Sequence, residues 1–209
     1  MLTGFILFSF LEFYFCISQK EKMRKIFKVV PILFLIALIG TYKIQNPIVY
    51  LAICFGMIGD LFLISWNKKM LFVGIISFFI EHILVATYAY TLHPIAFDWY
   101  YIFVVLVGML IVFAGYWFAT KKFLPVFFRC SCTVYSSMLL FNTISSIVLF
   151  LVFQDYKYLI LFFGYLIFTF SDSLVMRKRF IGDTKYLKFF VMLTYYAAQL
   201  LITCAFIFL

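Results

Sequence analysis

Eight long apolar runs, joined by short polar connections, take up almost all of this 209-residue chain. They cover residues 2–18, 26–42, 47–65, 70–92, 99–119, 131–153, 158–176 and 186–209, so each holds 17 to 24 residues. A helix needs about 20 apolar residues to cross a bilayer. The chain is 67% hydrophobic and 12% charged, and no soluble fold hides that much apolar surface. The runs are continuous rather than ten-residue alternations, which excludes a membrane β-barrel. No internal repeat or low-complexity stretch is visible. The expected fold is an all-α membrane protein with eight transmembrane helices in one bundle, forming a single polytopic domain over residues 1–209.

The formal net charge is +9, which invites a nucleic-acid reading until the bases are placed. Fifteen of the seventeen lysines and arginines fall in alternate connections or, for Lys28 and Lys188, within three residues of one, and only Lys43 and Lys157 fall on the other side. That asymmetry is the signature of cytosolic loops, and it predicts both termini on the non-cytosolic face. Bases at membrane edges argue against a nucleic-acid partner. The first run resembles a signal peptide in length. It lacks a basic leading region and contains Glu12, so it reads as a retained helix. The five cysteines, an odd number lying mostly in apolar runs, offer neither a zinc site nor a disulfide framework. No phosphate loop, dinucleotide fingerprint, HExxH pair or GxSxG elbow is present.

Function is sought where polar groups interrupt the runs. A carboxylate at the centre of a membrane helix costs about 2.5–3.5 kcal/mol on insertion scales, so each one marks a candidate site. Asp60 lies in "YLAICFGMIGDLFLIS" and Asp172 in "YLILFFGYLIFTFSDSLVM". Counted from the ends of their runs, both lie roughly 6–8 Å deep, which suits a shared pocket. Glu81 and His82 lie midway along the fourth run, their side chains about 100° apart around the helix. Glu81 can line the same cavity, pair with another helix or stay protonated. Tyr195 and Gln199 share a helix face at i, i+4. Hydrogen bonding between helices is the plain alternative for each of these groups.

Taken in order, "GMIGDLFLI", "FVGIISFFIEHILVATY", "GYLIFTFSDSLVMRKRF" and "TYYAAQLLI" resemble the successive signatures of the YhhN-like lysoplasmalogenase family. The matching positions are Gly59-Asp60; Phe72, Gly74, Phe78 and His82; Ser171-Asp172-Ser173; and Tyr195-Tyr196 with Gln199. Two departures stand out. Glu81 replaces a small or apolar residue, and the family's Lys-Pro becomes Lys28-Val29-Val30-Pro31. The resemblance implies eight membrane helices and hydrolysis of the vinyl ether bond of a lysoplasmalogen, with no cofactor and no metal. It implies Asp60 and Asp172 as catalytic residues, and His82, Tyr195, Gln199, Ser171, Ser173 and Lys28 as substrate-binding residues.

The chemistry behind that implication is acid catalysis. Protonating the vinyl β-carbon gives an oxocarbenium ion that water captures, as in glycoside hydrolysis. This requires a carboxylic acid that keeps its proton near neutral pH, plus a second group for the cation or the water. The resemblance implies a lysophospholipid substrate drawn from the bilayer, its head expected toward Arg177, Lys178 and Arg179. A second copy of the chain, as a homodimer, is an open alternative to a monomer. The membrane would be the endoplasmic reticulum in a eukaryote or the inner membrane in a bacterium. Two other classes fit the same polar residues: a small transporter and a non-catalytic lipid-binding membrane protein. Transporters favour repeats and proline-broken helices, whereas Pro31, Pro47, Pro94 and Pro125 all sit near run ends.

Overall fold

A computed structural model of the chain describes residues 1–65, 67–92, 99–122 and 124–208. Among these residues every regular element is an α-helix: α1 (Leu2–Ile17), α2 (Glu21–Phe27), α3 (Val30–Thr41), α4 (Pro47–Leu63), α5 (Lys68–Leu92), α6 (Trp99–Ala119), α7 (Val126–Phe153), α8 (Tyr156–Phe180) and α9 (Lys185–Phe208). All eight runs are helical over most of their length, but the expectation of eight membrane-length helices is corrected. Among the described residues four helices, α5, α7, α8 and α9, are long and apolar enough to cross a bilayer. α1, α4 and the Leu106–Phe118 part of α6 are apolar but shorter. α3 has 12 residues. At about 1.5 Å per residue that is some 18 Å, against a hydrocarbon core of about 30 Å.

The difference is clearest where an apolar run includes residues that do not stay helical. The run 26–42 breaks at Lys28-Val29. Its first residues belong to α2, which has Glu21 in its first turn and Arg24 and Lys25 in its last, each matching the helix dipole. Pro31 then opens α3, where its missing N–H leaves no bond unmade. Pro47 opens α4 in the same way, and Asn46 caps that helix by accepting from the Ile48 N–H at 3.0 Å. Pro125 precedes α7. Asp155 caps α8 through the Lys157 N–H at 3.1 Å. Pro94 and Leu209, the end of the eighth run, lie outside the described residues.

The helices close a circuit. α7 packs on α8, α8 on α9, α9 on α3, α3 on α4, α4 on α5, and α5 returns to α7. α1 wedges against α3 and α9, and α6 lies along α7. Tyr165, Phe168, Tyr196, Leu35 and Ile53 are buried in the circuit, whereas Phe10, Leu110, Ile111 and Phe118 are exposed on the outside. An outer surface this apolar needs lipid or a partner to cover it.

The two acids differ in position. α4 stops three residues after Asp60, whereas α8 continues eight residues past Asp172 to Phe180. Run ends therefore do not measure depth in the same way for both. The overhanging turns of α8 have a use: Arg179 donates to the Leu63 carbonyl at 2.6 Å and the Ser65 carbonyl at 3.1 Å. It thereby satisfies backbone acceptors left open where α4 ends.

Candidate functional site

Two hydrogen-bonded chains start from neighbouring residues of α5 and diverge. One runs from His82 through Tyr135 to Asp172. The other runs from Glu81 through Gln199 and Tyr195 to Asp60 and Lys28. The 100° turn between successive helical side chains separates them.

In the first chain, the Tyr135 hydroxyl on α7 donates to Asp172 Oδ2 on α8. With that proton committed, the phenol accepts from His82 Nε2, 3.3 Å away. This sets the imidazole proton on Nε2. It fits a buried Nδ1 that has no hydrogen-bond partner among the described residues. His82 is fully buried. Phe168 meets its ring edge-on at 4.7 Å between centroids, and Asn142 Nδ2 donates to its backbone carbonyl at 3.0 Å. Asp172 itself is only partly buried. It stands on the wall of a cavity of about 120 Å³ between α5, α7 and α8, with Phe78, Leu139, Val175 and Met176 among the apolar neighbours.

In the second chain, Asp60 is 2% exposed and has both oxygens engaged. Lys28 Nζ lies 2.9 Å from Oδ1 and also donates to the Asp60 carbonyl at 3.2 Å. The Tyr195 hydroxyl donates to Oδ2 at 2.6 Å. Gln199 Nε2 donates to Glu81 Oε1 at 2.9 Å and lies 3.4 Å from the Tyr195 hydroxyl. Tyr196 fixes the far end, its hydroxyl donating to the Lys28 carbonyl at 2.7 Å. Glu81 therefore pairs with another helix, one of the three options the sequence leaves open. It fits there because Gly56 faces it: a Cβ on Gly56 would stand 2.6 Å from Glu81 Oε2.

The structure thus brings together Asp60, Lys28, Tyr195 and Gln199 in one chain and Asp172 and His82 in the other. Asp60 and Asp172 are close enough for their charges to interact. Lys28 is not a loop base: at 8% exposed it is turned inward at the α2–α3 junction. Ser173 lines the cavity, and its hydroxyl donates to the Thr169 carbonyl of its own helix. Ser171 is fully buried and donates to the Val191 carbonyl on α9 at 3.1 Å.

Tyr135 and Asn142 were missed by the sequence reading. A signal for them exists, since Tyr135, Asn142 and Ser146 recur at the spacing of one face of α7. Among the described residues no group of three or more His, Cys, Asp or Glu is arranged to hold a metal ion.

Comparison with curated proteins returned no match, and neither did comparison with solved structures. The model of the YhhN family matches residues 23–206, a span that contains every member of both hydrogen-bonded chains, and on that match the chain belongs to the YhhN family.

Proposed function

We propose that this protein is a lysoplasmalogenase: a multi-pass membrane hydrolase that cleaves the vinyl ether bond of an alkenyl-glycerophosphoethanolamine or -choline. The products are a fatty aldehyde and the glycerophospho-alcohol. The observation that carries this reading is Asp172. It is the one carboxyl group among the residues lining a largely apolar cavity, aimed by a tyrosine and a histidine, in a member of the YhhN family. A vinyl ether is an apolar, uncharged function. It suits a mainly apolar cavity lined by a single carboxylic acid.

In this reading Asp172 gives its proton to the β-carbon, and the C=C electron pair forms the new C–H bond. The oxocarbenium ion left behind is captured by water. One water proton returns to Asp172, and the hemiacetal collapses to aldehyde and alcohol. Water is the only co-reactant. Tyr135 and His82 fix the Asp172 carboxyl so that its free oxygen faces the substrate. Asp60 does not line the cavity. It acts from behind, its negative end toward the interior and its Lys28 partner turned toward the adjoining cleft. Tyr195 and Gln199 hold it there. The alkenyl tail enters sideways between α5 and α7, through a groove of about 290 Å³ that shares Ile75 and Tyr135 with the cavity. In the same reading the chain is one polytopic membrane domain, and the asymmetry of its loop charges supports a non-cytosolic place for both termini.

The test is turnover in heavy water. Purified protein and lysoplasmalogen should release aldehyde more slowly than in light water, with one deuterium on the carbon next to the carbonyl. Acyl lysophospholipid should bind without being hydrolysed, because among the described residues no Ser–His–Asp arrangement is in place to attack a carbonyl. Aldehyde lacking the deuterium, or ester cleavage at a comparable rate, would overturn the acid mechanism. A rival reading, a proton-coupled transporter, draws on the buried chain from Glu81 to Lys28. It predicts no aldehyde at all and proton-linked uptake in proteoliposomes.

A further inference from the structure

Next to the Asp172 cavity is a smaller cleft of opposite character. It measures about 40 Å³ and opens between α2, α4, α8 and α9. Five of its lining residues are basic: Arg24, Lys25, Lys28, Lys178 and Arg179. No acid lines it. The carboxylates nearby offset only part of this charge, Asp183 being near enough to act on Lys178 and Arg179. Glu21 holds Arg24 and Lys188, Asp183 holds Lys188, and Asp60 meets Lys28 from the interior. The cleft and the cavity share two walls, Leu63 and Val175.

We propose that this cleft is the binding site for the substrate's phosphate group. The inference rests on the lysoplasmalogenase reading and names where its headgroup lies. In a lysoplasmalogen, five covalent bonds separate the vinyl ether oxygen from phosphorus. An acid that reaches the vinyl carbon must therefore have an anion site immediately beside it, and the shared walls provide that adjacency. The room suits a phosphate group, since one water occupies about 10–15 Å³ on the same measure. Lys25 and Lys178 offer ammonium groups to the phosphate oxygens, and Arg24, Lys28 and Arg179, already hydrogen-bonded within the protein, add positive charge around them.

Topology alone explains basic residues at a membrane edge, but it does not explain this inward convergence. The short α2 exists only because the chain breaks at Lys28-Val29, and it delivers Arg24, Lys25 and Lys28 opposite the tail of α8. Arg179 anchors that tail to the end of α4 and so fixes the mouth of the cleft. Arg177, one residue before the pair that lines the cleft, faces two other grooves instead. The headgroup therefore meets Lys178 and Arg179 of the tail, together with α2.

The experiment compares two substrates that differ only in the phosphate: 1-alkenyl-glycerophosphoethanolamine and 1-alkenylglycerol. Wild type should prefer the first, measured as kcat/KM. Lys25→Gln combined with Lys178→Gln should reduce that preference by at least about tenfold, chiefly through KM. A structural role would depress both substrates alike and leave the ratio unchanged, which would overturn the subsite.

A second arm does not depend on turnover. Direct binding of 1-alkyl-glycerophosphoethanolamine, which has no vinyl bond, is compared with that of 1-alkylglycerol. Tighter binding of the phospholipid that is lost in the double variant supports the subsite even if no aldehyde forms, and in that case only the catalytic reading falls. Equal binding of the two lipids overturns the subsite whatever the activity. Competition by inorganic phosphate alone separates the sources of the anion: it should be weak beside glycerophosphoethanolamine. Phosphate competing as well as the headgroup would mark a general anion site and overturn the headgroup assignment.

Discussion

Asp60 and Asp172 look alike in the sequence and occupy opposite kinds of place in the fold. Each follows a small residue near the end of an apolar run. Asp60 is sealed, held by an ammonium group and a phenol, and absent from the cavity wall. Asp172 is held on one side only and is open to the cavity on the other. An intramembrane acid is expensive wherever it lies, so its presence marks a site without stating a role. The role follows from which oxygen is left free. At Asp60 both are taken by the protein, while Asp172 keeps one for something else.

The sharpest way to break this comparison is to neutralise each acid in turn. Asp172→Asn keeps the shape of the side chain and loses the proton donor. It should reduce aldehyde release by about 10²–10⁴-fold, the range of a general acid, with little change in the melting temperature in detergent. Asp60→Asn leaves Lys28 buried beside a neutral amide. Removing one partner of a buried pair costs about 3–5 kcal/mol, so this variant should lose stability as well as activity. Replacing the whole pair, Lys28→Met with Asp60→Leu, should recover much of the stability without recovering turnover. An Asp60→Asn protein that melts like wild type yet is inactive would move Asp60 from scaffold to chemistry.

A smaller effect should come from the group that aims Asp172. Tyr135→Phe removes the hydroxyl between His82 and the carboxyl and leaves both without that partner. Losing one hydrogen bond of this kind costs about 1–2 kcal/mol, or roughly tenfold in rate. The loss should appear in kcat, with KM nearly unchanged, because the ring still lines the cavity. An equal fall for Tyr165→Phe, whose hydroxyl has no partner among the described residues, would show that the effect is packing rather than aim.

What the sequence made legible follows from what membrane burial makes conspicuous. Asp60, Asp172, His82 and Gln199 stand out because a polar group inside an apolar run is rare. Lys28 was read from the family pattern despite the two inserted valines, and its ion pair with Asp60 shows that a longer connection still delivers the amine. Tyr135 was not legible. It is one of fifteen tyrosines, and a phenol draws no notice among 31 phenylalanines until its partner across the bundle is known. α2 was hidden for the converse reason. A segment carrying Lys20, Lys22, Arg24, Lys25 and Lys28 reads as a solvated loop, and only its packing against α1 and α3 makes it an element. Helix length was overestimated where hydropathy continued past a break, as at Lys28-Val29. Apolar character alone does not record where the backbone turns.

The least expected effect, and the most specific to α2, concerns pH. Burial would by itself raise the Glu21 carboxyl, but hydrogen bonds from Lys188 and Arg24 overcome it and hold Glu21 at about 2, below its ordinary 4.5. A group whose folded pKa is depressed contributes stability that is fully present above its unfolded value and is lost as pH falls through its folded value. The Glu21–Lys188 tie between α2 and α9 should therefore hold at neutral pH and loosen between about pH 4.5 and 2. The Glu21 side chain is 42% exposed, so solvent screens the pair and the change should be small. Melting in detergent across that window should fall further for wild type than for Glu21→Gln, which has no charge to lose. Because α2 carries Arg24 and Lys25 to the basic cleft, phospholipid binding should weaken over the same window in wild type. Identical pH profiles for the two proteins would show that α2 is held by its apolar contacts alone, and the ion pairs at Glu21 would then play no part in shaping the cleft.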